Sequence, residues 1–457
     1  MQTINPATGR PIHDHPEHDG AAVAVRIAAA ASAQRMWRDR PLAERGASLK
    51  RLAALLVERS HPLAAIATQE MGKPIAEAVA EIRKCAYVCA FYAEHAPAML
   101  APDDPGVDEA EAFVRMDPLG VVFAVMPWNF PFWQALRFAA PALMAGNTVL
   151  FKPAPSTIGC TLAIEELAVE AGLPPGCLVS LVIDVDQVAD VIAHPAVAAV
   201  TVTGSERAGA AVASVAGAHL KPTVLELGGS DAFIVLPDAD LDLAVENAVK
   251  ARCLNSGQSC CAAKRFLVHE DVADDFERRF GAAMAAVTVG DPMVPGVQVG
   301  PMARPDLRDQ LADQVDRAVA AGARVVTGGG APELAEGLDP ACFYAPTVLA
   351  DVVPGSPAFD EEIFGPVAAV VRVRDADHAV ELANLSEYGL TATIWTADRA
   401  RARDMARRLE VGGVFVNRMA FSDPRIPFGG VKKSGYGREL GIYGIREFVN
   451  VKTVWVE

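Results

Sequence analysis

A cysteine at the break between two regular elements is the candidate nucleophile of this sequence. The segment Asn255–Cys261 (NSGQSCC) follows a helical pattern over Leu241–Leu254 and precedes the apolar run Phe266–Val268. Small and polar residues between two such elements predict a turn that can hold a side chain forward. Thiolates are the strongest nucleophiles among ordinary side chains, so Cys260 can serve covalent catalysis, although an isolated loop cysteine is usually inert.

Two polar residues follow short apolar runs that predict strands. Asn129, in the segment Pro127–Pro131, comes directly after the first run, and its amide can donate to a developing oxyanion. The alternative is an Asx turn before the next proline. Lys152 follows the run Thr148–Phe151, from which it can reach ribose hydroxyls or phosphates. The alternative there is a solvated loop lysine.

A third candidate segment, Thr203–Ser205, ends the run Ala198–Val202 and opens a predicted helix. Ser205 suits an N-cap, and helix N-termini attract phosphate. The next glycine after Gly204 is Gly209, so the spacing is not the dinucleotide fingerprint G-x-G-x-x-G and the signal is weak.

Two glutamates complete the set. Glu226 lies in an apolar run, Val224–Gly229, where a carboxylate needs a partner or a raised pKa. A raised pKa suits a general base near neutral pH, and a buried ion pair is the alternative. Glu362, in the acidic turn Glu361–Pro366, can accept hydrogen bonds from sugar hydroxyls, or it can cap a helix or strand.

The elements that must position these residues follow an α/β pattern. Three amphipathic helices are predicted near the N-terminus, over Val23–Trp37, Leu42–Arg59 and Ile75–His95. From Gly120 onward short apolar runs alternate with helical patterns, which predicts a parallel sheet with crossover helices and a Rossmann-like nucleotide fold. A second α/β unit begins near Gly228, and the final run, Phe448–Val456, alternates as a half-exposed edge strand open to another subunit.

Length and composition set the limits on function. The 457 residues exceed one ordinary core. We predict a cofactor-binding domain from residues 1–100 and 120–228, a catalytic domain from 229–430, and oligomerisation segments at 101–119 and 440–457. The formal charge of −16 disfavours nucleic acid and anionic membranes as partners. No run approaches the ~18 apolar residues of a membrane helix. The N-terminus has no signal-peptide pattern, and eight cysteines without a C-x-x-C pair favour a reducing cytoplasm and no metal site.

Taken together and in order, these segments resemble the NAD(P)-dependent aldehyde dehydrogenases from end to end. The shared segments are Pro127–Pro131, Lys152-Pro153, Thr203–Ser205, Glu226–Gly229, Asn255–Cys260, Glu362–Pro366 and Pro427–Gly435. Within that superfamily, Glu226–Asp231, Ala262–Phe266 and Gly430–Gly435 are similar to the shorter bacterial succinate-semialdehyde dehydrogenases. The resemblance implies a Rossmann-like cofactor domain, an α/β catalytic domain and a small oligomerisation arm.

The resemblance also implies catalytic roles. Cys260 would attack the aldehyde, and the Asn129 amide and the backbone N–H of Cys260 would hold the oxyanion. Glu226 would activate the water that hydrolyses the thioester. An aldehyde has no leaving group except hydride, so a covalent adduct and a hydride acceptor are both needed. Oxyanion donors are worth roughly 3–4 kcal/mol each in well-studied sites. Cys261 matches no fixed family residue and is predicted to point elsewhere as a filler.

The implied cofactor is NAD or NADP. Lys152 and Glu362 would bind the two riboses, with Phe364 against the nicotinamide ribose. The remaining residues implied to line the cofactor are Trp128, Asn129, Gly204, Ser205 and Leu227. Three positions beyond Lys152, where NAD-selective relatives often carry a glutamate that repels a 2′-phosphate, this chain has Pro155. NADP is therefore permitted, and the preference stays open.

The implied substrate is a small aldehyde, first succinate semialdehyde, which would be oxidised to succinate. Arg137 matches an arginine that clamps the distal carboxylate, a task suited to guanidinium, and Ser422 and Arg425 are further candidates. Leu254 stands where some relatives carry a second arginine. The alternative is another semialdehyde or an aliphatic or aromatic aldehyde. A homodimer or homotetramer is expected.

Three rival functions share part of this residue pattern. An acylating dehydrogenase would pass the thioester to coenzyme A, but such enzymes generally lack a base at the position of Glu226. A binding or structural protein without turnover, like the lens crystallins of this family, has no need of Cys260, Glu226 and Asn129 together. A thiol hydrolase needs a partner histidine, and no motif contains one.

Overall fold

The computed structural model of the protein describes residues 1–108 and 110–457. Glu109, which falls within the predicted 101–119 segment, lies outside the described residues. Within the described ranges, no helix is long and apolar enough to cross a membrane.

The N-terminal part is a hairpin followed by helices and a strand. Its elements are β1 (Gln2–Asn5), β2 (Arg10–Asp14), α1 (Gly20–Arg38), α2 (Leu42–Glu58), α3 (Ser60–Met71), α4 (Ile75–Met99) and β3 (Glu111–Pro118). Asp19 caps α1 by accepting from the backbone N–H of Ala22 at 2.8 Å. The sequence predicted α1, α2 and α4; it did not predict the hairpin or α3.

The next part of the chain builds the first sheet. Its elements are β4 (Val121–Val125), α5 (Pro131–Ala145), β5 (Thr148–Lys152), α6 (Ile158–Glu170), β6 (Leu178–Ser180), α7 (Val188–Ala193), β7 (Val197–Thr203), α8 (Glu206–Ala218) and β8 (Thr223–Glu226). The strands are parallel in the order β8-β7-β4-β5-β6. The order reverses between β4 and β7, and a doubly wound sheet binds its ligands at the carboxyl ends of the strands on either side of such a point.

The following part of the chain builds the second sheet and also contains one two-residue strand that lies outside that sheet. Its elements are β9 (Asp231–Val235), α9 (Leu241–Cys253), β10 (Ala263–His269), α10 (Glu270–Ala285), α11 (Pro305–Ala320), β11 (Arg324–Thr327), β12 (Thr347–Ala350), α12 (Pro357–Asp360), β13 (Val367–Val373), α13 (Ala376–Asn384), β14 (Tyr388–Gly389), β15 (Thr391–Trp395), α14 (Arg399–Arg408) and β16 (Gly413–Val416). The order in the second sheet is β11-β12-β13-β10-β9-β15-β16, and within this sheet, among the described residues, only the pair β11–β12 is antiparallel. Helices between parallel strands give the α/β architecture that the sequence predicts.

The C-terminal part returns to the first sheet. Its elements are β17 (Val431–Lys432), β18 (Gly435–Tyr436), α15 (Gly441–Arg446) and β19 (Val449–Val456). β18 pairs antiparallel with β8, so that residues following the second sheet reach the strand that carries Glu226. This return brings C-terminal residues to the candidate site.

The last strand, β19, pairs along its whole length with β3, from Val449 opposite Pro118 to Val456 opposite Glu111. The sequence predicted an unpaired terminal edge here, and that prediction is wrong for the edge that faces β3. The alternation was correct, but strand patterning does not reveal which distant segment supplies the partner. The two strands form a ribbon that joins the predicted 101–119 and 440–457 segments.

Helix α5 explains how a charged residue comes to lie in the core. Every residue from Pro131 to Ala145 is buried, and Leu136 belongs to the same buried cluster as Leu52 of α2 and Tyr92 of α4. A fully buried leucine or phenylalanine contributes about 1.5–3 kcal/mol, so the apolar residues fix the helix in place. Arg137, on the same helix, is thereby held inside the molecule and needs an internal partner.

Candidate active site

Cys260 is held by a tightly bound turn between α9 and β10. Asn255 and Ser256 have left-handed backbones, with φ values of 58° and 55°. Residues other than glycine rarely adopt this conformation, and such strain persists only where the surroundings enforce it. The backbone N–H of Asn255 donates to Oε2 of Glu77 at 2.6 Å, and its side-chain Nδ2 donates to the carbonyl of Asn129 at 2.7 Å. The turn is thus tied to two elements that lie far away in the sequence.

Gly257 closes the same turn with a φ of 76°. A Cβ at this position would collide with the backbone carbonyl of Gly365. Only glycine therefore fits between the turn and the segment that leads to Pro366. Lys264, the second residue of β10, donates to the carbonyl oxygens of Ser259 at 3.0 Å and Cys260 at 2.6 Å. These contacts fix the backbone on both sides of the thiol.

The thiol of Cys260 lies at the boundary of two cavities. One has a volume of about 490 Å³ and the other about 200 Å³. The larger cavity is lined by Trp128, Asn129, Thr203, Gly204, Ser205, Leu227, Glu362, Phe364 and Cys260. The smaller one is lined by Lys84, Trp133, Arg137, Leu254, Cys261, Ser422, Phe428 and again Cys260. Most of the predicted residues therefore meet around one half-buried sulfur.

The position of the larger cavity and its lining residues suit a dinucleotide. It opens at the carboxyl ends of β4 and β7, where the strand order of the first sheet reverses. Ser205 caps α8 by accepting from the N–H of Ala208 at 3.3 Å, and a helix N-terminus favours phosphate. The hydroxyl of Thr203 is buried in this wall without a partner among the described residues, so a polar ligand atom can satisfy it. The volume falls within the ~300–1,000 Å³ of typical ligand sites.

The larger cavity also has aromatic and acidic lining residues. The rings of Trp128 and Phe364 meet edge to face with centroids 5.7 Å apart. Glu362 accepts from the backbone N–H of Gly229 at 2.9 Å and lies 3.3 Å from Nζ of Lys264. Its carboxylate is therefore fixed in position and still borders the cavity, as an acceptor for sugar hydroxyls must.

Two of the predicted cofactor residues do not line this cavity. Lys152 is buried at the end of β5, where Nζ donates to the carbonyl of Pro153 at 3.1 Å and burial lowers its pKa. Pro155 follows in the same segment. The structure places both beside the carboxyl edge of the first sheet and outside the wall, and their contact with a ribose stays a prediction.

Asn129 contacts the nucleophile segment, and Glu226 lies close enough to feel the charge of Cys261. The amide of Asn129 donates to the carbonyl of Gln258 at 3.2 Å and borders the larger cavity. Glu226, at the end of β8, is buried, and its Oε1 has no hydrogen-bond partner among the described residues. Burial raises the pKa of Glu226 well above its usual value, and the nearby Arg137 opposes the shift. The structure thus gives Glu226 the raised pKa that a general base requires, although it lines neither cavity.

Cys261 is not the filler that the sequence predicted. Its side chain lines the smaller cavity, and its Sγ lies 3.6 Å from the hydroxyl of Ser259. A hydrogen bond with Cys261, followed by burial, raises the pKa of Cys260, and the same hydrogen bond lowers the pKa of Cys261 to about 5. The two thiols form one titrating pair that holds a single negative charge more readily than an isolated thiol.

The predicted substrate residues fall into two groups. Ser422 and Arg137 line the smaller cavity, and Arg137 is also ion-paired with Glu439; both of these charged side chains are buried. Arg425 does not belong to the cavity: its side chain is 67% exposed and pairs with Asp423 at 2.7 Å. The structure places Arg425 outside the cavity wall, with its guanidinium paired to a nearby carboxylate, and its contact with the substrate stays a prediction.

Sequence reasoning missed Lys84, Glu77 and Lys264. Lys84 and Glu77 lie on α4 together with two further lining residues, Ala80 and Glu81. The spacing of these residues places them on one helix face, so two acids and a lysine on a helix that is otherwise largely apolar were the available signal. The pattern alone does not say which cavity that face borders.

A thiol between a nucleotide-sized cavity and a short cationic one defines an enzyme of the dinucleotide-dependent, thiol-nucleophile class. The sequence profile of the Aldehyde dehydrogenase family matches residues 1–454. The chain belongs to the aldehyde dehydrogenase family, as the resemblance in its motifs indicated.

Relatives and solved structures support this placement over the full length. The chain is 50% identical over 453 residues to the NAD(P)+ succinate semialdehyde dehydrogenase Sad of Escherichia coli (strain K12), with 99% of this chain and 97% of that protein covered. It is 48% identical over 461 residues to the NADP(+) succinate-semialdehyde dehydrogenase 1 of Mycobacterium tuberculosis, with 100% and 99% covered. The crystal structure of succinic semialdehyde dehydrogenase from Streptococcus pyogenes with NADP+ is 37% identical and superposes with a TM-score of 0.96, covering 100% of this chain and 99% of that one.

Proposed function

We propose that this chain oxidises succinate semialdehyde to succinate with NAD or NADP as the electron acceptor. The single observation that carries the proposal is Cys260, which borders both a nucleotide-sized cavity and a short one that contains Lys84 and Arg137. A short cavity with two cationic side chains suits a small aldehyde that ends in a carboxylate. The printed names of relatives that are about half identical point to the same substrate.

The reaction begins at the sulfur of Cys260. The thiolate attacks the carbonyl carbon, a C–S bond forms, and the π-electron pair moves to the carbonyl oxygen. The Nδ2–H of Asn129, which borders the same cavity, and the backbone N–H of Cys260 are the donors for that oxygen. When bound in the larger cavity against Ser205, Glu362 and Phe364, NAD(P) supplies the hydride acceptor.

Glu226 serves the second half of the reaction. As the carboxylate, it takes a proton from water, whose oxygen attacks the thioester carbon, and the C–S bond breaks to release the acid and the Cys260 thiolate. The buried position and raised pKa of Glu226 suit a base that must lose its proton again near neutral pH. The presence of this base favours water over coenzyme A as the acceptor.

Initial rates with paired aldehydes test the proposed substrate. Succinate semialdehyde and butanal have the same number of carbons, and only the former carries a carboxylate. We expect a kcat/KM for succinate semialdehyde at least about 100-fold above that for butanal, because charged hydrogen bonds are worth ~1.5–3 kcal/mol each. Equal kcat/KM values for the two aldehydes would contradict the proposed substrate. Formation of acyl-CoA in place of succinate would contradict the proposed hydrolysis.

We also propose that the chain is cytoplasmic and forms a homodimer or homotetramer through the β3–β19 ribbon. The ribbon exposes large apolar side chains, including Val451 at 62% and Trp455 at 51% exposure. Exposed apolar residues along a strand with an open edge favour association with another copy. Light scattering after gel filtration tests this: Trp455→Glu together with Val451→Glu should lower the molar mass of the assembly.

A further inference from the structure

We infer that Lys84, together with Ser422, binds the distal carboxylate of the substrate and is the main source of the selectivity for a carboxylate-bearing aldehyde. This inference rests on the proposed function and names a binding residue for it. Lys84 extends from α4 into the smaller cavity, where Nζ donates to the hydroxyl of Ser422 at 2.7 Å. The same ammonium lies 4.1 Å from the centre of the Trp133 ring. The aromatic face and the hydroxyl hold the charge in the cavity wall.

The distribution of charge distinguishes the half-buried Lys84 from the buried cations near the site. Arg137 is ion-paired with Glu439, and Lys73 is ion-paired with Glu81. Among the described residues, no carboxylate lies within 4 Å of the ammonium of Lys84, because Asp423 is engaged by Arg425. A cation in a confined site without a counter-ion is unfavourable, and an incoming carboxylate corrects this.

The electrostatic state of Lys84 agrees with this geometry. Burial lowers the pKa of Lys84 to about 8, so the free enzyme holds the charge only loosely. A bound carboxylate favours the protonated form. Arg137 brings a second donor to the same cavity, since its Nη2 has no hydrogen-bond partner among the described residues. Its own charge is already balanced, so it orients the carboxylate and contributes less to the attraction.

Lys84 has one competing role. It lies close enough to Cys261 to lower the pKa of that thiol, as one of several contributions. If Lys84 acted only on the thiol pair, its loss would slow the attack on every aldehyde alike. Selectivity between a charged and an uncharged aldehyde therefore separates the two roles.

The experiment compares Lys84→Met, Lys84→Arg and wild type on succinate semialdehyde and on butanal. Lys50→Met is the matched control, since Lys50 is an exposed lysine of α2 that borders neither cavity. For Lys84→Met we expect the ratio of kcat/KM values for the two aldehydes to fall about 10- to 150-fold, mainly through KM for the semialdehyde. Lys84→Arg should recover a large part of the ratio, and Lys50→Met should retain all of it.

A second measurement uses product analogues. The inhibition constant of succinate should rise in Lys84→Met by a factor similar to the loss of the ratio, whereas that of butyrate should change little. Butanal turnover and a thermal melt identify a variant that has failed to fold, in which case Lys84→Arg carries the test. Equal losses on both aldehydes, or no change of the ratio, would overturn the role of Lys84. A wild-type enzyme that does not prefer succinate semialdehyde would instead overturn the proposed function.

Discussion

Glu439 lies against the guanidinium of Arg137, and both side chains are almost completely buried. The pair joins α5 to the C-terminal segment that returns to the first sheet. Removing one partner from a buried ion pair leaves an uncompensated charge and costs about 3–5 kcal/mol. We therefore expect Glu439→Gln to lower the free energy of unfolding by roughly that amount, as measured by urea denaturation at pH 7.

Glu246→Gln is the control for this prediction. Glu246 pairs with Lys250 at 2.5 Å, but both side chains are 59% exposed. Exposed pairs are worth about 0–1 kcal/mol, so the control should change stability little. If both variants lost the same stability, burial would not be what makes the Arg137–Glu439 pair important.

The two adjacent thiols give a second prediction. Cys260→Ala should abolish oxidation of every aldehyde, because Cys260 is the thiol that borders both cavities. Cys261→Ala should retain turnover and shift the pH profile of alkylation of Cys260 by iodoacetamide. In wild type the hydrogen bond between the two thiols lowers the pKa of Cys261 and raises the pKa of Cys260.

Without Cys261, the remaining buried thiol must ionise alone. The hydrogen bond with Cys261 is the largest cause that raises the pKa of Cys260, ahead of burial, so its loss should move the alkylation midpoint of Cys260 to lower pH. Stopped-flow alkylation between pH 5 and 10 measures the midpoint. An unchanged midpoint would show that Cys261 does not share the charge, and an inactive Cys261→Ala with an active Cys260→Ala would exchange their roles.

Glu226 provides a third prediction. Its pKa is raised by burial, so the basic form is lost as the pH falls through the raised value, and kcat should fall with it. Glu226→Gln should lower steady-state turnover about 10²- to 10⁴-fold, the range for a missing general base. Reduced cofactor should then appear as a burst of one equivalent per subunit, because hydrolysis has become the slow step. Rapid-quench detection of the thioester on Cys260 checks the assignment; absence of a burst would contradict it.

The titration of Lys84 yields a fourth prediction. Because burial lowers its pKa to about 8, the ammonium is present below that pH and lost above it. KM for succinate semialdehyde should therefore rise about tenfold per pH unit above the pKa of Lys84, whereas KM for butanal should not. The titratable and charged groups near the ammonium are Glu81, Cys85, Arg137, Cys261 and Asp423.

Lys84→Arg separates the lysine from those neighbours. Guanidinium stays protonated throughout the accessible range, so the rise of KM above pH 8 should disappear in this variant. A rise that persists in Lys84→Arg belongs to Cys261 or another neighbour and not to Lys84.

Much of the fold and of the site could be predicted because short apolar runs in the sequence mark where strands end. Asn129 and Ser205 each follow a short apolar run, and parallel strands bring their carboxyl ends to one edge. The structure places both residues in the wall of the same cavity as Cys260. The small and polar residues around Cys260 likewise predicted a turn that holds its side chain forward. The left-handed backbone of Asn255 and Ser256 could not be anticipated from residue type.

Sequence reasoning missed Lys84 because of a long-range contact and did not foresee the local ion pair of Arg425. Lys84 meets Ser422 across 338 positions of sequence, and periodicity within α4 gives no sign of that neighbour. Arg425 lies near the matching motif, but its guanidinium donates a hydrogen bond to Asp423, two residues away. Helix α3 begins directly after α2, at Ser60, so no clear break separated the two patterns.

The placement of the sulfur of Cys260 between separate cavities has a kinetic consequence. The two reactants converge on one atom by different routes, so neither obstructs the departure of the other. The acid product can leave while the nucleotide remains bound, so turnover does not require the two cavities to release their ligands in a fixed order. A compound that fills one cavity should therefore compete with the reactant of that cavity and leave the other reactant bound.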